Sequence, residues 1–144
     1  MSQTDCKDDA SIQDEDRLFR RVHITQLVRD DNTGFARISS GVFKDKDLSI
    51  NIESVLISAG SSPESCLRNH KAHKLISITA GNGRPFNQAI CRDPLPGEPS
   101  HGLVYGSKNA KSIHDGLRVV AAWVIPMAAP TNEEIEVEKR KMGT

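Results

Sequence analysis

The sequence predicts an α+β domain built on a mainly antiparallel sheet with helices packed on one face. Three observations predict it. Short runs alternate apolar and polar residues at the period of a strand. At least one later segment repeats apolar residues at helical spacing. Between these segments lie clusters of Asp, Asn, Gly and Pro that favour reversals of the chain.

In the first run Leu18, Val22 and Ile24 share one side, while Phe19, Arg21 and His23 share the other. In the second, Ala36, Ile38 and Val42 oppose Phe35, Arg37, Ser39 and Phe43. In the third, Leu48, Ile50 and Ile52 oppose Ser49 and Asn51. Successive side chains of a strand point to opposite faces, so pairing these runs gives one apolar face and one basic, hydroxyl-rich face. Arg20 falls on the apolar side, where it would sit at a strand edge and snorkel. Asp30-Asp31-Asn32-Thr33-Gly34 and Lys44-Asp45-Lys46-Asp47 supply the turns between runs.

Asn51 is placed to cap a short helix over residues 53–59 that Gly60 closes. Ser62-Pro63 opens a second helix running to about Asn69. Strands are expected over 74–80, 87–92 and 102–106, with a proline-stiffened loop over 93–101. Ile113, Leu117, Val120, Ala121 and Val124 form the helical stripe, capped by Ser107 or Asn109 and ended by Pro126. Gly116 inside that helix marks a close packing contact.

A chain of 144 residues is most simply one domain, here residues 18–130, and is long enough to bury a core without staples. Residues 1–17 are acidic and without periodicity, and read as a disordered tail; residues 131–144 read as a flexible charged tail able to form a transient helix. The net charge is zero, yet residues 18–130 hold 14 basic and 9 acidic side chains, a surplus that favours an anionic ligand. Cys6, Cys66 and Cys91 are an odd set without a CxxC, which fits reduced thiols and a cytoplasmic protein. The acidic N-terminal residues lack an apolar h-region and no apolar run approaches membrane length, so neither a signal peptide nor a membrane span is expected.

Three constellations are candidates for chemistry. The first is the polar sheet face, with Arg21, His23, Arg37, Ser39, Ser40, Ser49 and Asn51. A guanidinium presents a planar fork of donors to phosphate or carboxylate, and hydroxyl and amide groups add short donors. The second is Arg92–His101, where Asp93 or Glu98 is placed to orient His101 as an acid or base. The third is Gly106-Ser107-Lys108 at the opening of the last helix, a weak anion site that is not a P-loop. His23, Glu98 and His101 are therefore the catalytic candidates, and Arg21, Arg37, Ser39, Ser40, Asn51 and Lys108 the ligand-binding ones. His70 and His73 lack further ligands at zinc spacing, so no metal is expected. A triad assembled from Ser40, His101 and Asp93 lacks the nucleophile elbow that would support it.

Leu18-Phe19-Arg20-Arg21-Val22-His23, Ile38-Ser39-Ser40-Gly41-Val42-Phe43 and Asp93-Pro94-Leu95-Pro96 followed by Pro99 and His101 resemble a group of small bacterial proteins of no established activity, over most of residues 18–125. More distantly, the chain is similar to small NAD-using ADP-ribosyltransferase-like domains. That resemblance implies NAD contacts from Arg21 or His23 and from Ser39 or Ser40, with Glu98 as the late glutamate; the usual Glu-rich strand is missing. The expected function is binding, with or without processing, of a phosphate-bearing ligand: a nucleotide, NAD or a nucleic acid. The alternative is a non-enzymatic interaction module acting with a partner protein in a bacterial system. The sequence names no cofactor.

Overall fold

The computed structural model describes residues 6–142. In chain order the strands are β1 (Arg17–His23), β2 (Leu27–Val28), β3 (Arg37–Ile38), β4 (Asp47–Ile52), β5 (His73–Thr79), β6 (Ala89–Arg92), β7 (His101–Tyr105) and β8 (Ala122–Ile125). The helices are α1 (Glu53–Ser58), α2 (Ala80–Gly83), α3 (Lys111–Val120) and α4 (Asn132–Met142), joined by several short 3₁₀ turns. Six strands form one antiparallel sheet in the order β6-β7-β4-β1-β5-β8, and β2 and β3 form a separate two-stranded ribbon. This is the expected α+β architecture.

The alternation in β1 and β4 assigns their faces as read. Leu18, Val22, Leu48, Ile50 and Ile52 enter the main apolar cluster with Ile76, Ile78, Ile90 and Val104 of the other strands. Leu117 of α3, Ile135 of α4 and Val42 and Phe43 of the 3₁₀ turn Ser40–Phe43 close over that face. The opposite face is only partly open. Phe19 and Leu75 pack there under Leu56 of α1 and Cys66 of the 3₁₀ turn Pro63–Leu67. Phe19 is 1% exposed, so it anchors a second small core instead of framing an open surface. Arg20 lies on the main-core side with its side chain largely withdrawn from water. Its guanidinium donates to Ser49 O (3.1 Å) and faces Asp45 (3.6 Å), while burial lowers its pKa.

Five expectations are corrected. The run 35–43 is not a strand of the main sheet. Only Arg37–Ile38 is extended, paired with β2, and Ser39-Ser40-Gly41 turns the chain into the 3₁₀ turn. The apolar residues of that run are buried as the pattern required, but by a ribbon and turn.

The last helix ends at Val120, and Ala122–Ile125 leaves it as edge strand β8 against β5. The β-branched Val124 and Ile125 with Trp123 favour extended chain, so Pro126 follows a strand. Gly116 does mark close packing: a Cβ there would lie 2.6 Å from the Phe86 ring.

The acidic N-terminal segment is ordered against the sheet over residues 6–16. Ile12 is 1% exposed within the main core. Asp9 N donates to Ile90 O (2.8 Å), Ile90 N donates to Asp8 Oδ1 (2.9 Å), and a disulfide joins Cys6 to Cys91. Arg84 gathers the segment, donating to Asp8, Asp14, Asp9 O and Ile12 O. The carboxylates that looked like a solvated run are thus paired with specific donors. Residues 1–5 of the expected tail lie outside the described residues.

The C-terminal segment forms α4. It is capped by Thr131 Oγ1, which accepts from Glu134 N (3.1 Å), and pinned by Ile135 and by the Lys74–Glu138 pair (2.7 Å). Residues 143–144 lie outside the described residues.

The Cys6–Cys91 bond also replaces the expected set of three reduced thiols; Cys66 is free and buried. Disulfides persist in oxidising surroundings. Among the described residues no helix is long and apolar enough to cross a membrane.

Candidate functional site

The second face of the sheet carries a cleft of about 410 Å³. It is floored by Arg21 of β1 and Asn51 of β4, and walled by α1, by the segment Ser61–His70 and by the loop Pro96–Ser100. That volume falls in the range of small-molecule sites.

Each wall has a local cause. Leu95 and Glu98 exchange both backbone hydrogen bonds (3.1 and 2.8 Å) around Pro96-Gly97, and Gly97 has φ +75°. Proline at the second turn position and a residue with positive φ at the third define a type II turn, so this sequence bends sharply and in one way. His101 N donates to Glu98 O (3.2 Å) and Asp93 N to His101 O (2.9 Å), which ties the loop to the start of β7. Ile52 N donates to Ser100 O (2.8 Å), bringing the same loop to the end of β4. The opposite wall starts at the 3₁₀ turn opened by Pro63 and closes through Asn69, whose φ of 64° is tolerated by asparagine.

On the floor, Arg21 Nη1 donates to Cys66 O (3.2 Å) and lies 3.7 Å from Glu98 Oε2. The remaining nitrogens of its fork have no hydrogen-bond partner among the described residues. Asn51 is 5% exposed; its Oδ1 accepts from Ser100 Oγ (2.7 Å), and among the described residues its amide N–H groups make no hydrogen bond. Arg68 stands exposed at the rim without an ion pair among the described residues, and His70 completes that side. Burial, then Arg21, then His73 hold the His70 pKa below the ordinary histidine value, with Glu98 opposing. Burial pushes the Cys66 thiol up to about 11, so it stands in the wall as an uncharged group. The cleft therefore holds two guanidinium groups against one carboxylate, with Ser61, Ser65 and Ser100 also in its lining.

Arg21, Asn51 and Glu98 are brought together here from three distant segments. His101 is on the same sheet face, opposite Asn51 in the β4–β7 register, but it lies under the loop and not in the cleft wall. It is 7% exposed, and its Nδ1 faces Asp93 O (2.9 Å) and Asp93 Oδ2 (3.2 Å). Two acceptors at Nδ1 mean that this nitrogen carries the proton; the ring anchors the loop base.

His23 caps a 3₁₀ turn, its Nδ1 accepting from Thr25 N (3.2 Å). Its ring meets His73 edge-on at 4.9 Å, and His73 meets His70 at 5.5 Å, so His23 stands two rings from the cleft. No group of three or more His, Cys, Asp or Glu side chains among the described residues is placed to hold a metal ion.

Arg37, Ser39 and Ser40 are elsewhere. Their segment packs Ile38, Val42 and Phe43 into the main core on the other side of the sheet, and Arg37 pairs with Asp30 (3.7 Å). Lys108 is 1% exposed and donates to Lys46 O, Val104 O and Gly106 O at 2.9, 2.7 and 3.0 Å. Burial lowers its pKa to about 8. All three donors are spent on carbonyls, so Lys108 is a structural clamp and offers nothing to an anion at α3. That helix begins after Ala110, without a side-chain cap from Ser107 or Asn109.

The sequence reading missed Arg68, His70, Ser61 and Ser65. Their signal was present as the polar run Arg68-Asn69-His70 following the Ser-Pro turn start. Locally the run reads as the end of a helix, because nothing in it shows that it folds back onto β1.

No family model, no curated protein and no solved structure matches this chain.

Proposed function

We propose that the cleft binds a small phosphate-bearing ligand of nucleotide size. One observation carries the reading: the Arg21 fork and the buried Asn51 amide present unused donors to one hollow, with Arg68 at its rim. Phosphate offers several acceptor oxygens and a charge that matches the guanidinium surplus. Glu98, the one catalytic candidate in the wall, is suited to accept hydrogen bonds from a hydroxyl or amine elsewhere on the same ligand. A nucleotide has both kinds of group. A single hollow of this volume fits a mononucleotide-like molecule better than a nucleic-acid strand, which needs an extended basic track.

The resemblance to ADP-ribosyltransferase-like domains draws support from Arg21 and Glu98 sharing the cleft, and none from Ser39 or Ser40. Binding is proposed here; no reaction is.

Thermal unfolding in the presence of a panel of nucleotides, inorganic phosphate and non-phosphorylated nucleosides tests the reading. Stabilisation by phosphate compounds, absent for the nucleosides and abolished in Arg21→Ala, is the expected result. Equal stabilisation of the wild type and Arg21→Ala, or none by any phosphate compound, contradicts it.

A further inference from the structure

Three histidines stand in a row that ends in the cleft. His23 meets His73 edge-on, and His73 meets His70 with ring centres 5.5 Å apart. The first two rings are committed: His23 Nδ1 accepts from Thr25 N, and His73 Nδ1 faces Lys71 O (3.0 Å). His70 is the member that lines the hollow, and among the described residues neither of its ring nitrogens makes a hydrogen bond. Charged and titratable groups face it from three elements: Arg21 from β1, Glu98 from the proline loop and His73 from β5. Arg68 and Lys71 share its own segment, and α1 lines the hollow with Val55 and Leu56, which bring no charge. Burial, then Arg21, then His73 disfavour the charged ring, with Glu98 opposing. With His70 neutral, Arg21 and Arg68 against Glu98 leave the lining one positive charge in excess; with His70 protonated the excess is two.

We infer, on the reading of the cleft as a phosphate site, that His70 takes up a proton as the ligand enters, and that this third cation makes the cleft select a phosphate monoester over a diester. A monoester carries two negative charges once its second proton, with a pKa of about 6, is lost, whereas a diester carries one. Beside a dianion the balance at His70 reverses. An opposite charge favours the imidazolium, and its uncommitted N–H groups then donate to phosphate oxygens. The proton comes from solvent, and no bond of the ligand is made or broken. Linkage fixes the sign of the pH dependence. The free site keeps the ring neutral at a pH where the occupied site keeps it charged, so affinity falls as pH rises through that window. A diester lacks the second charge and draws the proton less strongly.

Isothermal titration of the intact, oxidised chain with adenosine monophosphate and with its methyl ester tests this. Each titration is run near neutral pH in two buffers of different ionisation heat, which counts the protons exchanged. The monophosphate should bind about tenfold or more tightly than the methyl ester, with net proton uptake. Its affinity should fall by about fivefold between about pH 6.5 and about pH 8. His70→Gln should bind the monophosphate about tenfold more weakly and without uptake. His70→Lys supplies a permanent cation, so it should bind more tightly than His70→Gln and still show no uptake, a pattern that lost packing does not produce. His70 is half-buried and its ring is not hydrogen-bonded, so both variants should keep the wild-type circular dichroism spectrum. Monophosphate binding without proton uptake, uptake that persists in His70→Gln, or equal affinity for the two esters overturns the inference and leaves the phosphate reading standing. Binding of neither ester overturns both.

Discussion

At Arg21 and Lys108 the same kind of charge has opposite uses, and the difference lies in what meets the nitrogens. Arg21 keeps part of its fork unpaired over a hollow, and Lys108 spends every donor on a main-chain carbonyl. Arg21→Ala should therefore lower affinity for a bound phosphate compound by about tenfold to a hundredfold, as loss of a charge-assisted hydrogen bond does, with little change in unfolding free energy. Isothermal titration alongside a denaturant melt checks both halves. Lys108→Met should show the reverse: affinity kept, and stability lowered by about 1–3 kcal/mol because buried carbonyls lose their donor. His70 adds a pH dependence of known sign. Its pKa in the folded chain lies below the unfolded value of 6.5, so the unfolded state takes up the proton first. Its effect is absent well above that value and destabilises the fold as pH falls through the window beneath it. His70→Gln should flatten that part of the stability–pH curve measured by urea titration. In the sequence, Arg21 and Lys108 looked alike because each is a cation in a polar context. Only the fold reveals that Val104, Gly106 and Lys46 turn their carbonyls toward one ammonium group.

Among the elements, the most legible were β1 and β4, where period-two alternation is read on both faces because both are used. The loop from Asp93 to Ser100 was legible too, since Pro96-Gly97 dictates one tight turn whatever surrounds it. What failed was segment fate beyond local pattern. The run 35–43 alternates as a strand should, yet Ser39-Ser40-Gly41 permits a turn, and the apolar residues reach the core that way. The stripe into Val124 has helical spacing, but its last β-branched residues find a partner in β5. The N-terminal segment was misjudged because its charge pattern is that of a solvated tail, while its partners Arg84, Ile90 and Cys91 lie some eighty residues away. Cys6→Ser tests how much that segment matters. A bond closing so long a loop typically contributes about 2–4 kcal/mol, and its loss should also speed amide exchange at Ile90 and Arg92. Unchanged stability together with unchanged exchange at β6 would show that Arg84 and the Asp8–Asp9 contacts hold the segment alone.

For the molecule as a whole, the sheet divides the work. One face carries the main core under α3, α4 and the Ser40–Phe43 turn. The other carries a small apolar patch around Phe19 and, beside it, a polar hollow where β1, β4 and the proline loop meet. One edge, β6, is covered by the segment 6–16, and β8 forms the other. The candidate site was half legible from sequence. Parity put Arg21 and Asn51 on one face, and the stiffened loop supplied Glu98. Arg68 and His70 enter only because the Ser61–His70 segment folds across that face, a long-range event that no local pattern encodes. The most direct test of the cleft is a nuclear magnetic resonance titration of the oxidised chain with adenosine monophosphate, followed at backbone amides. Saturable shifts centred on Arg21, Asn51, Arg68, His70 and Ser100, absent with adenosine, are the result this structure predicts. No saturable shift, or shifts gathered around Arg37 and Ser39 on the other side of the sheet, would contradict it.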